Sequence, residues 1–209
     1  DGLAAPWRAI PGNHDIGDNP DLDYAPARQV SASRLEAWRE VFGPDRWSLR
    51  KGDWTLIGLD AMLLNSGLED EAAQFDWLNE TLSSARGPVA VFSHKPLLLD
   101  RLEEQPEQRF FFVPTVSRPA LVEAFSRADV RLFACGHVHQ ARDHVADGIR
   151  HVWAPPTSFT LPDTLQRVFG HKTCGVLRYR FSPDGVEVDF LRPEGMVSPP
   201  DEDVAEIYA

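Results

Sequence analysis

Two apolar segments of strand length, Val89 to Phe92 without a break and Val130 to Ala134 broken only by Arg131, constrain this chain most. A strand with water on one face alternates apolar and polar side chains, whereas a short unbroken run fits a strand covered on both faces. Trp7 to Ile10, interrupted by Arg8, is a third apolar segment and reads as the end of another strand. Each run stops at a turn: Pro11-Gly12-Asn13-His14-Asp15, Ser93-His94-Lys95-Pro96 and Gly136-His137-Val138-His139. Histidine therefore recurs just beyond the carboxyl ends of strands, where open α/β sheets form their ligand sites. Residues far apart in sequence can meet there.

The intervening segments read as helices and hairpins. Ser33 and Glu36 have capping-box spacing, with Leu35, Trp38 and Phe42 following at helical intervals before Gly43-Pro44. Trp47 to Leu49 and Trp54 to Leu59 flank Lys51-Gly52, which is hairpin chemistry. Glu69, Asp70 and Glu71 suit the positive end of a helix whose inner stripe is Phe75, Leu78 and Leu82. Ser117 caps a helix with Leu121, Val122 and Phe125 inward. Asp147-Gly148 and Pro183-Asp184-Gly185 each join two strands. Strand and helix alternate early and antiparallel strands follow, so the reading is an α/β fold of two packed sheets with helices outside. Asp18 to Ala27 reads as a polar loop, and Asp100 to Val116 as a long loop whose Phe110, Phe111 and Phe112 pack inward or form a dimer contact.

A chain of 209 residues suffices for one sizeable core. The organisation expected is one domain over 1–192, followed by a proline-rich, acidic tail over 193–209 in which Asp201-Glu202-Asp203 is solvated. A net charge of −11 repels nucleic-acid backbones, so no nucleic-acid partner is expected. No apolar stretch approaches the roughly 20 residues of a membrane span. A cytoplasmic chain without a membrane partner is the expectation. Cys135 and Cys174 are too few for a disulfide scaffold, and Cys135 reads as a buried free thiol.

Imidazole suits zinc, iron and similar ions, and the Asn13 carboxamide supplies an oxygen donor. His137 and His139 would point apart in an extended turn, but a bend at Gly136 can aim both at neighbouring metals. Taken singly, each motif has an ordinary structural role: a glycine-asparagine turn, a hydrogen-bonded strand-end histidine, a chance His-x-His. Together, in this order and spacing, Gly12-Asn13-His14-Asp15, His94 with Pro96, and Gly136-His137-Val138-His139 resemble the calcineurin-like metallophosphoesterase superfamily. Within it, Gln74, Phe75 to Leu78 and the Ser-His-x-Pro strand end look similar to bacterial class III cyclic-nucleotide phosphodiesterases and glycerophosphodiesterases. The resemblance runs from Trp7 to about Phe159.

The resemblance implies a four-layer αββα sandwich of two mixed sheets flanked by helices. It implies that Asn13, His94 and His137 bind one metal and His139 a second, with Fe, Mn or Zn as the pair in the intact enzyme. His14 would lie beside the phosphate and assist the leaving group, and Asp15 would orient that imidazole. The family also carries an Asp-x-His and a Gly-Asp segment, and neither occurs ahead of Asn13. The expectation is therefore a chain lacking the first strand-helix-strand unit, holding one metal or none. The reaction implied is hydrolysis of a small phosphodiester. Two cations about 3.5–4 Å apart make hydroxide available at neutral pH and bind the phosphoryl oxygens. A phosphomonoesterase and a catalytically incomplete ligand- or protein-binding module are the alternatives, and a homodimer is compatible with either.

His144, His151 and His171 read as surface or core hydrogen-bonding residues, and Pro155 to Phe159 as a rigid turn or part of a substrate wall. The six tryptophans read as core or interface bulk.

Overall fold

A computed structural model describes residues 4–20 and 26–197. Most of the tail and residues 21–25 of the polar loop therefore lie outside the described residues.

The two apolar runs become central strands. Strand β3 (Pro88–Ser93) lies between β2 (Trp54–Leu59) and β4 (Asp129–Cys135), parallel to both. Val89, Ala90 and Val91 are fully buried because layers cover both faces. The six-stranded sheet runs β1-β2-β3-β4-β6-β5. Strand β1 (Trp47–Lys51) pairs antiparallel with β2 through the expected hairpin. Strand β6 (Ile149–Trp153) adds parallel to β4, and β5 (Arg142–Ala146) closes antiparallel on β6 through Asp147-Gly148. A second sheet consists of β7 (Val176–Ser182) and β8 (Gly185–Leu191). Its inner face, Leu177, Tyr179, Phe181, Val186 and Val188, packs on Trp54, Ala90, Leu132, Ala134 and Val152. The alternate residues Arg178, Arg180, Glu187 and Asp189 form ion pairs on the outer face, the period-2 division of a half-wet sheet.

The opposite face of the large sheet carries the main core. Helices α1 (Asn13–Ile16), α2 (Ala32–Phe42), α3 (Glu69–Ser84) and α4 (Arg118–Phe125) all contribute to it, through Ile16, Leu35, Trp38, Leu78, Leu82, Leu121 and Phe125. The architecture is thus mixed α/β, with two sheets and helices flanking the larger one.

Several local expectations change. Helix α2 begins after Ser31, whose side chain makes no capping bond, so Ser33 lies within the helix; Phe42 is half exposed, stacked on Trp38 at 5.2 Å. Val122 is partly exposed on α4, whose Ser117 makes no capping side-chain bond. Trp7 to Ile10 forms no ladder. What reaches it is the Trp47 indole N–H, which donates to the Ala9 carbonyl at 3.0 Å. The 100–116 loop contains two short 3₁₀ turns, Arg109–Phe111 and Thr115–Ser117. The Arg118 guanidinium organises it by donating to the carbonyls of Val113, Leu102 and Glu104. Phe111 and Phe112 are buried, so packing accounts for them.

Candidate metal centre

The three histidine-bearing turns converge at one end of the large sheet. Strands β3 and β4 are in register as far as Ser93 and Cys135, so His94 and Gly136 leave the sheet side by side. The Gly136 N–H donates to the His94 carbonyl at 3.0 Å, tying the two turns together. The His94 and His137 rings lie 4.6 Å apart, centroid to centroid. His94 Nε2 lies 2.9 Å from Asn13 Oδ1, the N–H donating to the amide oxygen. Asn13, His94 and His137 therefore meet.

Close packing at Gly12 sets part of this geometry. A Cβ there would stand 2.6 Å from His94 Cε1 and under 3 Å from both ring nitrogens. Only glycine lets the first turn lie flat against the imidazole.

The third turn carries its bend differently from the expectation. His137 and His139 themselves adopt positive φ, 67° and 51°, where Gly136 does not. The Val138 N–H donates to the Gly136 carbonyl at 2.8 Å. His137 is therefore the centre of a γ-turn of the strained, positive-φ kind. Backbone strain of this sort costs on the order of 1–3 kcal/mol per residue and persists only where the surroundings over-determine it. It aims His137 back at His94 and turns His139 toward Phe159, whose ring lies 4.7 Å away.

Burial keeps these imidazoles neutral. It pushes His94 down to about 3, with the Lys95 charge adding to the effect, and pushes His137 well below its ordinary range. His139 is lowered by burial too. A neutral imidazole offers a lone pair, the state a metal ligand needs. Phe110, from the long loop, places its carbonyl 3.4 Å from His137 Nε2, and the Phe111 ring stands 5.7 Å from the same histidine. A His137 Nε2–H facing that carbonyl leaves Nδ1 as the donor nitrogen, the arrangement by which outer partners orient a ligating histidine. His139 Nδ1 is buried with no hydrogen-bond partner. The orphaned buried nitrogen of His139, and the neutral carboxamide of Asn13 beside the two imidazoles of His94 and His137, are donors of the kind a transition metal takes. Among the described residues no three or more His, Cys, Asp or Glu side chains are grouped closely enough to hold a metal ion between them.

His14 and Asp15 are exposed at the rim. His14 lies close enough to His94 and His139 for its charge to act on both. The Asp15 carboxylate accepts the Gly12 N–H at 2.7 Å, so it braces the first turn. A Gly-Asp pair does follow α1, at Gly17-Asp18, but the Asp18 carboxylate is buried against Lys95 and also accepts the Asn19 amide. Asn19 in turn donates to the carbonyls of Ala61, Met62 and Leu64.

His144 and His151 do not join the centre. They face each other across β5 and β6, with rings stacked at 5.3 Å. His171 is exposed and pairs with Ala141 through backbone alone. Sequence reasoning missed Phe110, whose carbonyl gives no sequence signal, and Gln140, which directly follows His139.

Residues 1–141 match the family model described as calcineurin-like phosphoesterase. The chain belongs to the calcineurin-like phosphoesterase family. A human relative, the serine/threonine-protein phosphatase CPPED1, is 30% identical over 150 residues, covering 66% of this chain and 44% of that protein. Its Danio rerio counterpart is 28% identical over 162 residues, covering 74% and 48%. The chain thus spans less than half the length of these calcineurin-like relatives. Among solved structures, GAP50, named as the anchor in the inner membrane complex of Plasmodium, superposes with a TM-score of 0.50 at 14% identity over 73% of this chain and 50% of that one. That likeness concerns the fold. Among the described residues no helix is long and apolar enough to cross a membrane.

Proposed function

We propose that this chain carries a metal-binding cluster for phosphate-ester hydrolysis, with a small phosphodiester as substrate. The observation that carries the reading is the meeting of Asn13, His94 and His137 at the ends of β3 and β4. In this reading Asn13 Oδ1, His94 and His137 hold one cation and His139 holds part of a second. A cation at the first position would be held by Asn13 Oδ1 and the His94 imidazole, the two groups that hydrogen-bond to each other here. A bound metal pair supplies hydroxide at neutral pH and neutralises phosphoryl charge.

The chain's own residues do the rest. The buried imidazoles stay unprotonated across the physiological range, so protons do not compete with the cation. His14, exposed at the rim, reaches a substrate from the solvent side and delivers a proton to the leaving alkoxide. General-acid help of this kind contributes about 10²–10⁴-fold. Asp15 holds the turn that presents His14. Phe159, beside His139, walls the substrate.

The names of the relatives favour a second reading, a phosphomonoester on a protein. Hydrolysis of bis(p-nitrophenyl) phosphate against p-nitrophenyl phosphate separates the two. Elemental analysis after loading with Zn²⁺, Mn²⁺ or Fe²⁺ tests the cluster. Asn13→Ala and His137→Ala are expected to lose metal, while His14→Ala keeps it and loses turnover. Equal metal content in all three variants and the parent would end the proposal.

A further inference from the structure

We propose that Gln140 and Gln166 are positioning residues for the metal cluster: their paired carboxamides hold the strained Gly136–His139 turn in the shape that aims both histidines. The inference rests on the reading of His137 and His139 as ligands given above, and its geometry is independent of that reading.

Both side chains are at most 1% exposed. A fully buried glutamine is costly unless its polar groups are bonded. Here every group of Gln140 is used. Its Oε1 accepts the Phe169 and Gly170 N–H groups, each at 2.7 Å. Its Nε2 donates to Gln166 Oε1 at 2.7 Å and to the Arg167 carbonyl at 2.9 Å. Gln166 then donates from Nε2 to the Val138 carbonyl at 2.8 Å. Val138 is the residue between the two histidines, and its N–H closes the γ-turn.

The chain 166–171 thus lies zipped against 138–141. Ala141 and His171 exchange two backbone hydrogen bonds at 2.8 Å. Gly170 comes so close that a Cβ there would stand 2.5 Å from the Ala141 carbonyl oxygen. The bond from Gln166 fixes the peptide that joins Val138 to His139, between the two left-handed residues. A relaxed turn would swing that carbonyl away from Gln166 and leave a buried amide unpaired. The clamp therefore acts on the conformation of the histidines and touches neither the metal position nor a substrate.

Gln166→Met and Gln140→Met, made in the full chain, test this. The first readout is the ring-proton NMR signals of His137 and His139 in metal-free protein. Wild type is expected to give one signal set per ring, and Gln166→Met several or broadened sets. The second is Zn²⁺ affinity by calorimetry, expected to fall about 10–100-fold, as for other groups that orient ligating histidines. Leu78→Ala, a core variant remote from the turn, is expected to lose thermal stability and keep both readouts, which separates positioning from general destabilisation. Unchanged ring signals in Gln166→Met would overturn the proposal, as would unchanged Zn²⁺ affinity when His137→Ala abolishes binding. If His137→Ala binds Zn²⁺ as wild type does, the metal reading fails, and the ring signals still decide the clamp.

Discussion

Asp60 sits at the end of β2 as an acid with no room for its charge. It is fully buried. Oδ1 accepts the Met62 N–H at 2.9 Å, while Oδ2 is buried with no partner. Burial, with the nearby Asp45 carboxylate adding to it, raises the group from 3.8 to about 8, against the opposing pull of the Met62 and Leu63 amides and Arg39. A folded chain that holds a proton more tightly than the unfolded chain loses stability as pH rises between the two values. The loss begins near pH 4, runs at about 1.4 kcal/mol per pH unit and ends near pH 8, reaching roughly 6 kcal/mol in all. Asp60→Asn removes the titration, keeps the acceptor for Met62 and leaves two amide N–H donors unpaired where the protonated acid leaves one O–H. Urea denaturation from pH 5 to pH 9 is the assay. The variant is expected to match or trail the wild type at pH 5. It should then gain on it with each pH unit, leading by several kcal/mol at pH 9. Taking the difference between the curves cancels the other titrating groups. A constant difference across the range would refute the account of Asp60 as a neutral buried acid.

Other consequences can be measured in the same way. Lys95→Met strands the Asp18 carboxylate in the interior and should cost about 3–5 kcal/mol in urea denaturation, most of it recovered in the double variant with Asp18→Asn. Gly12→Ala forces His94 to shift and should lower Zn²⁺ uptake more than it lowers Tm. Burial, and then the neighbouring His144, lowers His151 to about 4. A base held neutral in this way contributes stability above pH 6.5 that is lost as pH falls toward 4. His151→Phe should flatten that acid limb by roughly 3 kcal/mol.

The parts of the fold that were readable were those fixed by local chemistry. Dense apolar segments, unbroken in β3 and interrupted by Arg131 in β4, gave the central strands, Lys51-Gly52 and Asp147-Gly148 gave their hairpins, and the acidic triplet at 69–71 gave the start of α3. Misreadings arose where two residues could play one part, as with Ser31 and Ser33 at the start of α2. Trp7 to Ile10 has strand composition, but composition supplies no ladder partner. At the site, the identity of the converging side chains was legible, because the sheet gathers strand ends whatever the loops do. The bend was not. A γ-turn centred on a histidine is disfavoured locally and exists because distant groups hold it, Gln166 among them. The Phe110 carbonyl and the Gln140 bonds likewise span 26 residues or more, beyond any local pattern.

Both thiols, Cys135 and Cys174, are free and interior, and burial pushes the Cys135 thiol well above its ordinary range. Alkylating reagents meet a thiolate only when the structure opens. Cys135 ends β4, one residue before the Gly136–His139 turn, while Cys174 lies next to β7. Their labelling rates therefore time two different openings, one at the sheet beneath the histidines and one at the base of the small sheet, with no probe needing to be engineered in.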